Sequence, residues 1–114
     1  MFKSNDYLVV IPARYKSIRL PGKPLLDIAG RPMILRTFDQ CRKVFPLNKI
    51  LVATDDQRIK KVCEKENIKT LITSKKCLTG TDRIAEVAKK IKVKFYINVQ
   101  GDEQICNISD LKKL

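Results

Sequence analysis

Short apolar runs alternate with amphipathic stretches along this chain, and that alternation constrains the fold more than any other feature. The first run, residues 7–11, is continuous and contains three β-branched residues in succession. This pattern is typical of a central parallel strand that is buried on both faces. We expect Pro12 to end the strand, because proline cannot donate to a sheet ladder. A long irregular loop is predicted from residue 13 to about residue 30, where proline and glycine recur.

The later runs repeat a strand and helix order. Further strands are predicted at residues 49–53, 70–73 and 95–99, and helices at about 32–45, 57–67 and 79–91. Pro32 fits the first helical position, Asp55 or Asp56 is expected to cap the second helix, and Thr81 or Asp82 the third. The order β-α-β-α-β-α-β predicts a doubly wound α/β fold with a mostly parallel sheet.

Composition excludes several kinds of chemistry. The chain has 114 residues, enough for one domain, and contains no histidine, so Ser-His-Asp and Cys-His catalysis are excluded. The four cysteines are widely spaced and form no Cys-x-x-Cys pair, which does not suit a structural zinc site. We expect reduced, mostly buried thiols at Cys41, Cys63, Cys77 and Cys106. Chemistry must then come from carboxylates, cations and bound metal.

The net charge of +12 raises the question of nucleic-acid binding. The lysines are spread along the chain, and stacking aromatics of the kind used by single-strand binders do not accompany them. We therefore expect no nucleic-acid partner. No apolar run approaches the roughly 20 residues of a membrane helix, and the N-terminus lacks the apolar region of a secretory signal. We expect a cytoplasmic chain that does not bind membranes.

Polar segments follow three of the predicted strands, at residues 13–23, 54–56 and 100–103. Ligands of open parallel sheets bind outside the carboxyl ends of the strands. The first segment carries four cations, Arg14, Lys16, Arg19 and Lys23. A solvated basic loop is the alternative, but apolar anchors on both sides should hold four cations together only opposite an anion. This loop is therefore predicted to bind phosphate groups, although it is neither a Walker A loop nor a dinucleotide fingerprint.

Two further segments suggest ligand contacts. Asp102 follows Gly101 at the end of an apolar strand, where a carboxylate can hold Mg²⁺ together with substrate phosphates. A turn or cap aspartate is the alternative for a lone Gly-Asp pair. Residues 79–83 open a predicted helix, whose N-terminus suits polar or anionic groups. Simple capping explains that segment equally well.

Four blocks of the sequence carry a family resemblance. They read VVIPARYKSIRLPGKPLLDIAGRPMI, ILVATD, TGTDRIAEV and INVQGDE. In this order they resemble the 3-deoxy-D-manno-octulosonate (KDO) cytidylyltransferases, which make CMP-KDO for lipopolysaccharide. The resemblance implies a Rossmann-like nucleotidyltransferase in which the anomeric hydroxyl of KDO attacks the α-phosphate of CTP and pyrophosphate leaves.

The resemblance also implies roles for particular residues. Lys23, Arg14 and Asp102 would form the catalytic set, and Asp102 would hold Mg²⁺. The expected nucleotide-binding residues are Ala13, Arg14, Ser17, Arg19, Lys23, Thr81, Asp82, Arg83 and Gln100. A homodimer is expected for the full-length family.

The chain departs from the family in two respects. Family members are much longer, so residues 1–114 are interpreted as the nucleotide-binding half of a truncated nucleotidyltransferase. The other half would supply a second metal carboxylate, much of the sugar-acid site and the dimer contact. Gln104 also stands where the family usually has proline after Gly-Asp-Glu. Two alternatives stay open: another sugar nucleotidyltransferase, such as an acylneuraminate cytidylyltransferase, or a non-catalytic nucleotide-binding remnant.

Overall fold

The computed structural model describes residues 6–16, 22–77 and 80–100, and a four-stranded parallel sheet lies at its centre. In chain order the elements are β1 (Tyr7–Ala13), a 3₁₀ helix (Lys23–Leu25), β2 (Asp27–Ile28), β3 (Arg31–Pro32), α1 (Met33–Arg42), a second 3₁₀ helix (Leu47–Lys49), β4 (Ile50–Thr54), α2 (Gln57–Glu64), β5 (Lys69–Ile72), α3 (Gly80–Lys90) and β6 (Phe95–Asn98). The sheet has the order β5-β4-β1-β6, and every pairing in it is parallel. The predicted doubly wound α/β fold is confirmed.

The side chains of β1 alternate between the two faces of the sheet, and helices cover both faces. Val9 and Ile11 point into a cluster with residues of α1 and α2, among them Phe38 and Ile59. Leu8 and Val10 belong to a second cluster, which includes Val87 of α3. Each fully buried Val or Ile contributes roughly 1.5–3 kcal/mol relative to an exposed one, so both faces of β1 stabilise the domain.

Pro12 does not end β1, and the prediction that it would was wrong. The carbonyl oxygens of Asp6 and Val10 accept hydrogen bonds from the β6 side, from the backbone N–H groups of Phe95 and Val99. The polar backbone atoms of a strand alternate between its edges, so Pro12 also faces the β6 side. The last β1–β6 pair is Val10 with Asn98, and Pro12 lies beyond it. Its missing N–H therefore costs no bond of that pairing, and β1 continues beside β4 to Ala13.

The segment predicted as one irregular loop contains regular structure. β2 and β3 form an antiparallel hairpin, and its turn residues Ala29 and Gly30 have φ of 53° and 88°. The Arg36 guanidinium of α1 donates to the carbonyl oxygens of Ile28 and, at 2.8 Å, of Ala29. The prediction missed the hairpin because a side chain on a later helix holds it. α1 begins at Met33, so Pro32 is its N-cap rather than its first residue.

Most other predicted boundaries agree to within one to three residues. α2 ends at Glu64, earlier than predicted, and Asn67 adopts a left-handed φ of 61°. Asp56 caps α2, as one of the two predicted candidates, and accepts the backbone N–H of Arg58 at 2.8 Å. The predicted caps of α3 were wrong, because the helix begins at Gly80 and both Thr81 and Asp82 lie within its first turn.

The thiols in the described part of the chain are free, and two of the three are buried. Cys41 and Cys63 lie in the core, where burial raises the pKa to about 11 for Cys41 and about 12 for Cys63. Cys77 is partly buried, and Cys106 lies outside the described residues. The expectation of mostly buried, unpaired thiols is confirmed for the residues that the structure describes. Within the same residues, no helix combines the length and apolar character required to span a bilayer.

The Asp56 cap gives a test of the local structure. Asp56→Ala should lower the free energy of unfolding by about 1 kcal/mol, since α2 loses its N-cap acceptor. Asp56→Asn keeps an acceptor and should cost less. The side-chain hydrogen bond from Arg58 lowers the folded-state pKa of Asp56 below the ordinary value of an aspartate. The charge-dependent stability is therefore present above that value and is lost as pH falls through the lower folded pKa. Urea unfolding should show the gap between wild type and Asp56→Asn closing below about pH 4; a gap unchanged at low pH would contradict this.

Candidate functional site

Three polar segments begin at the same edge of the sheet, because β1, β4 and β6 are parallel. β1 ends at Ala13, β4 at Thr54 and β6 at Asn98. Gln100 follows β6 closely, is half-buried, and donates its side-chain amide to Asn98 Oδ1 at 3.1 Å. The order β5-β4-β1-β6 reverses direction between β1 and β6, and in such sheets the crevice at the reversal binds ligands. The described parts of the predicted segments therefore meet at the expected place.

The loop after β1 is closed at its base by a backbone hydrogen bond. The N–H of Gly22 donates to the carbonyl oxygen of Tyr15 at 2.7 Å, and the 3₁₀ helix that begins at Lys23 follows directly. Lys23 is thereby brought beside the chain at residues 14–16, where Arg14 and Lys16 are exposed. Three of the four predicted cations thus lie around one backbone bond. Arg19, the fourth, and Ser17 lie outside the described residues.

Gly22 has both a conformational and a steric reason to lack a side chain. Its φ is +77°, in the left-handed region that favours glycine, and a Cβ there would lie 3.1 Å from the Tyr15 ring. The Arg58 guanidinium of α2 stacks over that ring, 3.5 Å from the ring centroid.

Arg58 and Tyr15 form a support for the loop that the sequence analysis did not identify. Asp56 holds the Arg58 guanidinium with hydrogen bonds of 3.0 Å to Nε and 2.8 Å to Nη2. The side-chain hydrogen bonds that Arg58 donates to Asp56 raise the pKa of Arg58 above its ordinary value. A cation over an aromatic face is stabilised by the ring quadrupole. The sequence signal for this contact was the position of Arg58 in the first turn of α2, the helix that follows β4.

Arg83 lies deep in the structure rather than on the surface of α3. Its side chain is 2% exposed, and Nη1 donates to the hydroxyl of Thr73, just after β5. Nη2 lies 3.7 Å from Oδ2 of Asp55, just after β4. Asp55, predicted as a possible cap, instead pairs with this arginine and accepts the backbone N–H of Tyr15 at 3.4 Å through Oδ1. The predicted contact between Arg83 and a nucleotide stays a prediction.

The remaining predicted residues on α3 are exposed. Thr81 and Asp82 lie on the first turn of the helix. Further along α3, Glu86 accepts the backbone N–H of Ser74 and the thiol of Cys77, whose bond is 3.1 Å long. These bonds lower the pKa of Glu86, with the Ser74 backbone bond as the main cause. The segment after β5 is therefore bound to α3.

The predicted metal ligand, Asp102, lies outside the described residues. Within the described residues, no three histidine, cysteine, aspartate or glutamate side chains are grouped so that they could hold a metal ion.

Comparisons with known proteins agree on one family. A family profile for cytidylyltransferases matches residues 8–114. The 3-deoxy-manno-octulosonate cytidylyltransferase of Escherichia coli is 43% identical over 107 residues, which cover 94% of this chain and 44% of the relative. The enzyme of the same name from Acinetobacter baumannii strain ATCC 17978 is 50% identical over 101 residues, covering 85% and 40%. The chain thus spans less than half the length of these relatives.

Solved structures give the same result. A CMP:2-keto-3-deoxy-manno-octonic acid synthetase complexed with CTP matches with a TM-score of 0.86 and 40% identity, over 95% of this chain and 46% of its own. A cytidylyltransferase from Leptospira borgpetersenii serovar Hardjo-bovis matches with a TM-score of 0.71 over 85% of this chain and 42% of its own. At 22% identity, that second match supports the fold alone.

The two left-handed glycines provide a matched test of the loop base. Alanine in the left-handed region costs roughly 1–2 kcal/mol, and this cost applies to both Gly22→Ala and Gly30→Ala. At Gly22 the new Cβ also meets the Tyr15 ring, whereas at Gly30 no described atom outside the adjacent residues lies within 4 Å of the new Cβ. Urea unfolding should therefore show a larger loss for Gly22→Ala than for Gly30→Ala. Equal losses would mean that the Tyr15 ring is not held against Gly22.

Proposed function

This chain belongs to the cytidylyltransferase family, and from that premise we propose that it forms the nucleotide-binding part of an enzyme that transfers CMP from CTP to 3-deoxy-D-manno-octulosonate. Pyrophosphate is the second product. The matched relatives carry the name of this activity and are more than twice as long as the matched region, so the complete reaction is proposed for the whole protein.

One observation carries the proposal, the backbone bond from Gly22 to Tyr15. It gathers Arg14, Lys16 and Lys23 at the carboxyl end of β1, beside the reversal of strand order. A cluster of cations suits a polyanion as its ligand, and a triphosphate supplies several negative charges in a short length. Arginine can hold two phosphate oxygens in one plane, while lysine adds a compact charge.

The other predicted residues take positions around that triphosphate in the proposal. Ala13 lies near the nucleotide at the end of β1, and Gln100 near its base or sugar at the end of β6. Thr81 and Asp82 present polar groups from the first turn of α3. Ser17 and Arg19 add further phosphate contacts.

Mg²⁺ belongs to the proposal, with Asp102 as the protein ligand. Magnesium ions are commonly held by one or two carboxylates together with substrate phosphates, so a single aspartate from this half of the enzyme suits the ion. The bound ion would help to neutralise phosphate charge. The second carboxylate is expected from the remainder of the protein.

The chemical work of this half is positioning and charge stabilisation. Arg14 and Lys23 hold the phosphates so that the anomeric hydroxyl of the sugar acid can approach the α-phosphate, and they stabilise the charge that builds up on the leaving pyrophosphate. A role in lipopolysaccharide synthesis, a cytoplasmic location and a homodimeric whole protein are parts of the same proposal. They follow from the reaction and from the family that the sequence resembles.

The base assignment can be tested by thermal unfolding with nucleotides. CTP with Mg²⁺ should raise the melting temperature of the chain more than equal concentrations of ATP or GTP, because ligand binding to the folded state stabilises it. Equal shifts with all three would remove the assignment to cytidine.

Release of pyrophosphate from CTP and KDO would separate an active enzyme from a nucleotide-binding remnant. An acylneuraminate used in place of KDO tests which sugar acid is the substrate.

The loop cations can be tested with a charge-matched control. Lys23→Ala should weaken CTP binding about tenfold or more, as expected for the loss of a charge-assisted contact to phosphate. Lys92→Ala removes the same charge from an exposed position just before β6, at the edge of the sheet where the strands begin. This control variant should leave the Kd nearly unchanged. Calorimetric titration measures both values. Similar losses in the two variants would show that net charge, rather than this loop, binds the nucleotide.

A further inference from the structure

The Asp55–Arg83 pair lies beneath the proposed nucleotide site and connects three parts of the chain. Arg83 belongs to the first turns of α3, and Asp55 follows β4. Both side chains are at most 10% exposed. A buried cation of this kind needs partners for its N–H groups, and Arg83 donates to the Thr73 hydroxyl and, at 3.5 Å, to the carbonyl oxygens of Ser74 and Cys77. Asp55 balances the charge as an ion-pair partner, with Oδ2 3.7 Å from Nη2.

The two carboxylate oxygens of Asp55 contact different parts of the fold. Oδ2 faces the Arg83 guanidinium, and Oδ1 accepts the backbone N–H of Tyr15. Tyr15 lies between the exposed cations Arg14 and Lys16, and its carbonyl oxygen is the acceptor that closes the loop with Gly22. The carboxylate therefore holds the residue whose carbonyl oxygen closes the base of the loop.

Stability alone is a weak reason for burying such a pair. Removing two charges from water costs free energy that their attraction often does not recover, and a well-packed apolar pair of similar size is commonly as stable. What the pair supplies is a defined arrangement: the start of the loop cannot shift relative to α3 without separating Asp55 from Arg83 or from Tyr15. Contacts to phosphates lose strength steeply when the binding groups are displaced by about 1 Å.

We propose that Asp55 and Arg83 are positioning residues for the nucleotide, acting through the Tyr15 backbone to hold Arg14 and Lys23 at the spacing that a triphosphate requires. This inference rests on the proposed function. It assigns to Arg83 an indirect action on the nucleotide, in place of a direct contact.

The test compares CTP affinity with stability in single and paired variants. Asp55→Asn keeps an acceptor for the Tyr15 N–H but loses the charge opposite Arg83, and Arg83→Gln loses the charge opposite Asp55. The combined variant Asp55→Asn/Arg83→Gln contains no unpaired buried charge and keeps the measurement possible if a single variant fails to fold. Val87→Ala is the control, because Val87 is also fully buried on α3 but packs against the sheet in the second cluster.

Kd for CTP with Mg²⁺ is measured by calorimetry at a temperature at which circular dichroism shows each variant to be folded. Each single variant should raise the Kd by about tenfold, and the combined variant should bind no more weakly than the weaker single variant, since all interrupt one connection. Val87→Ala should lower the melting temperature and leave the Kd unchanged.

Variants of Asp55 and Arg83 that lower the melting temperature but bind CTP as wild type does would overturn the inference and leave the proposed function standing. A wild-type chain that binds no CTP would overturn the proposed function itself, and this inference with it.

Discussion

β1 pairs with a parallel strand along both of its edges, with β4 through residues 9–13 and with β6 through residues 7–10. Its side chains are buried against helices on both faces, so the strand cannot move without breaking packing contacts. The carboxyl end of β1 is thus a point fixed by its pairing with β4 and by the core. Each element of the proposed site is arranged around that point: the loop that follows β1, the aspartate that follows β4, and the glutamine that follows β6.

The loop at this point combines unfavourable and favourable terms. Three cations lie close together, and Gly22 has a backbone conformation that other residues adopt only at a cost. Against these act the bond from Gly22 to Tyr15, the stacking of Arg58 on the Tyr15 ring, and the Asp55 carboxylate at the Tyr15 N–H. The loop base is thus prepared before a ligand arrives, which lowers the ordering cost that binding must meet.

The buried strands, the helices and their order were predictable because each depends on hydrophobic periodicity within a short window. The continuation of β1 through Pro12 was not, since it depends on where β6 stops beside it. The hairpin of β2 and β3 was missed for a related reason, because Arg36 of α1 binds its turn. The Asp55–Arg83 pair joins residues 28 positions apart in the chain, and periodicity carries no information about such a pair. The roles predicted for Ser17, Arg19 and Asp102, outside the described residues, stay predictions.

The central claim is that the triphosphate of CTP binds at the carboxyl edge of the sheet, between the loop after β1 and the end of β6. The most direct measurement is the change in backbone amide NMR shifts of the isotopically labelled chain when CTP and Mg²⁺ are added. Binding there should change the shifts most at Tyr15, Gly22, Lys23 and Gln100, with little change at the opposite edge around Lys69 and Phe95. Shifts concentrated at that opposite edge, or spread evenly over the exposed lysines, would contradict it.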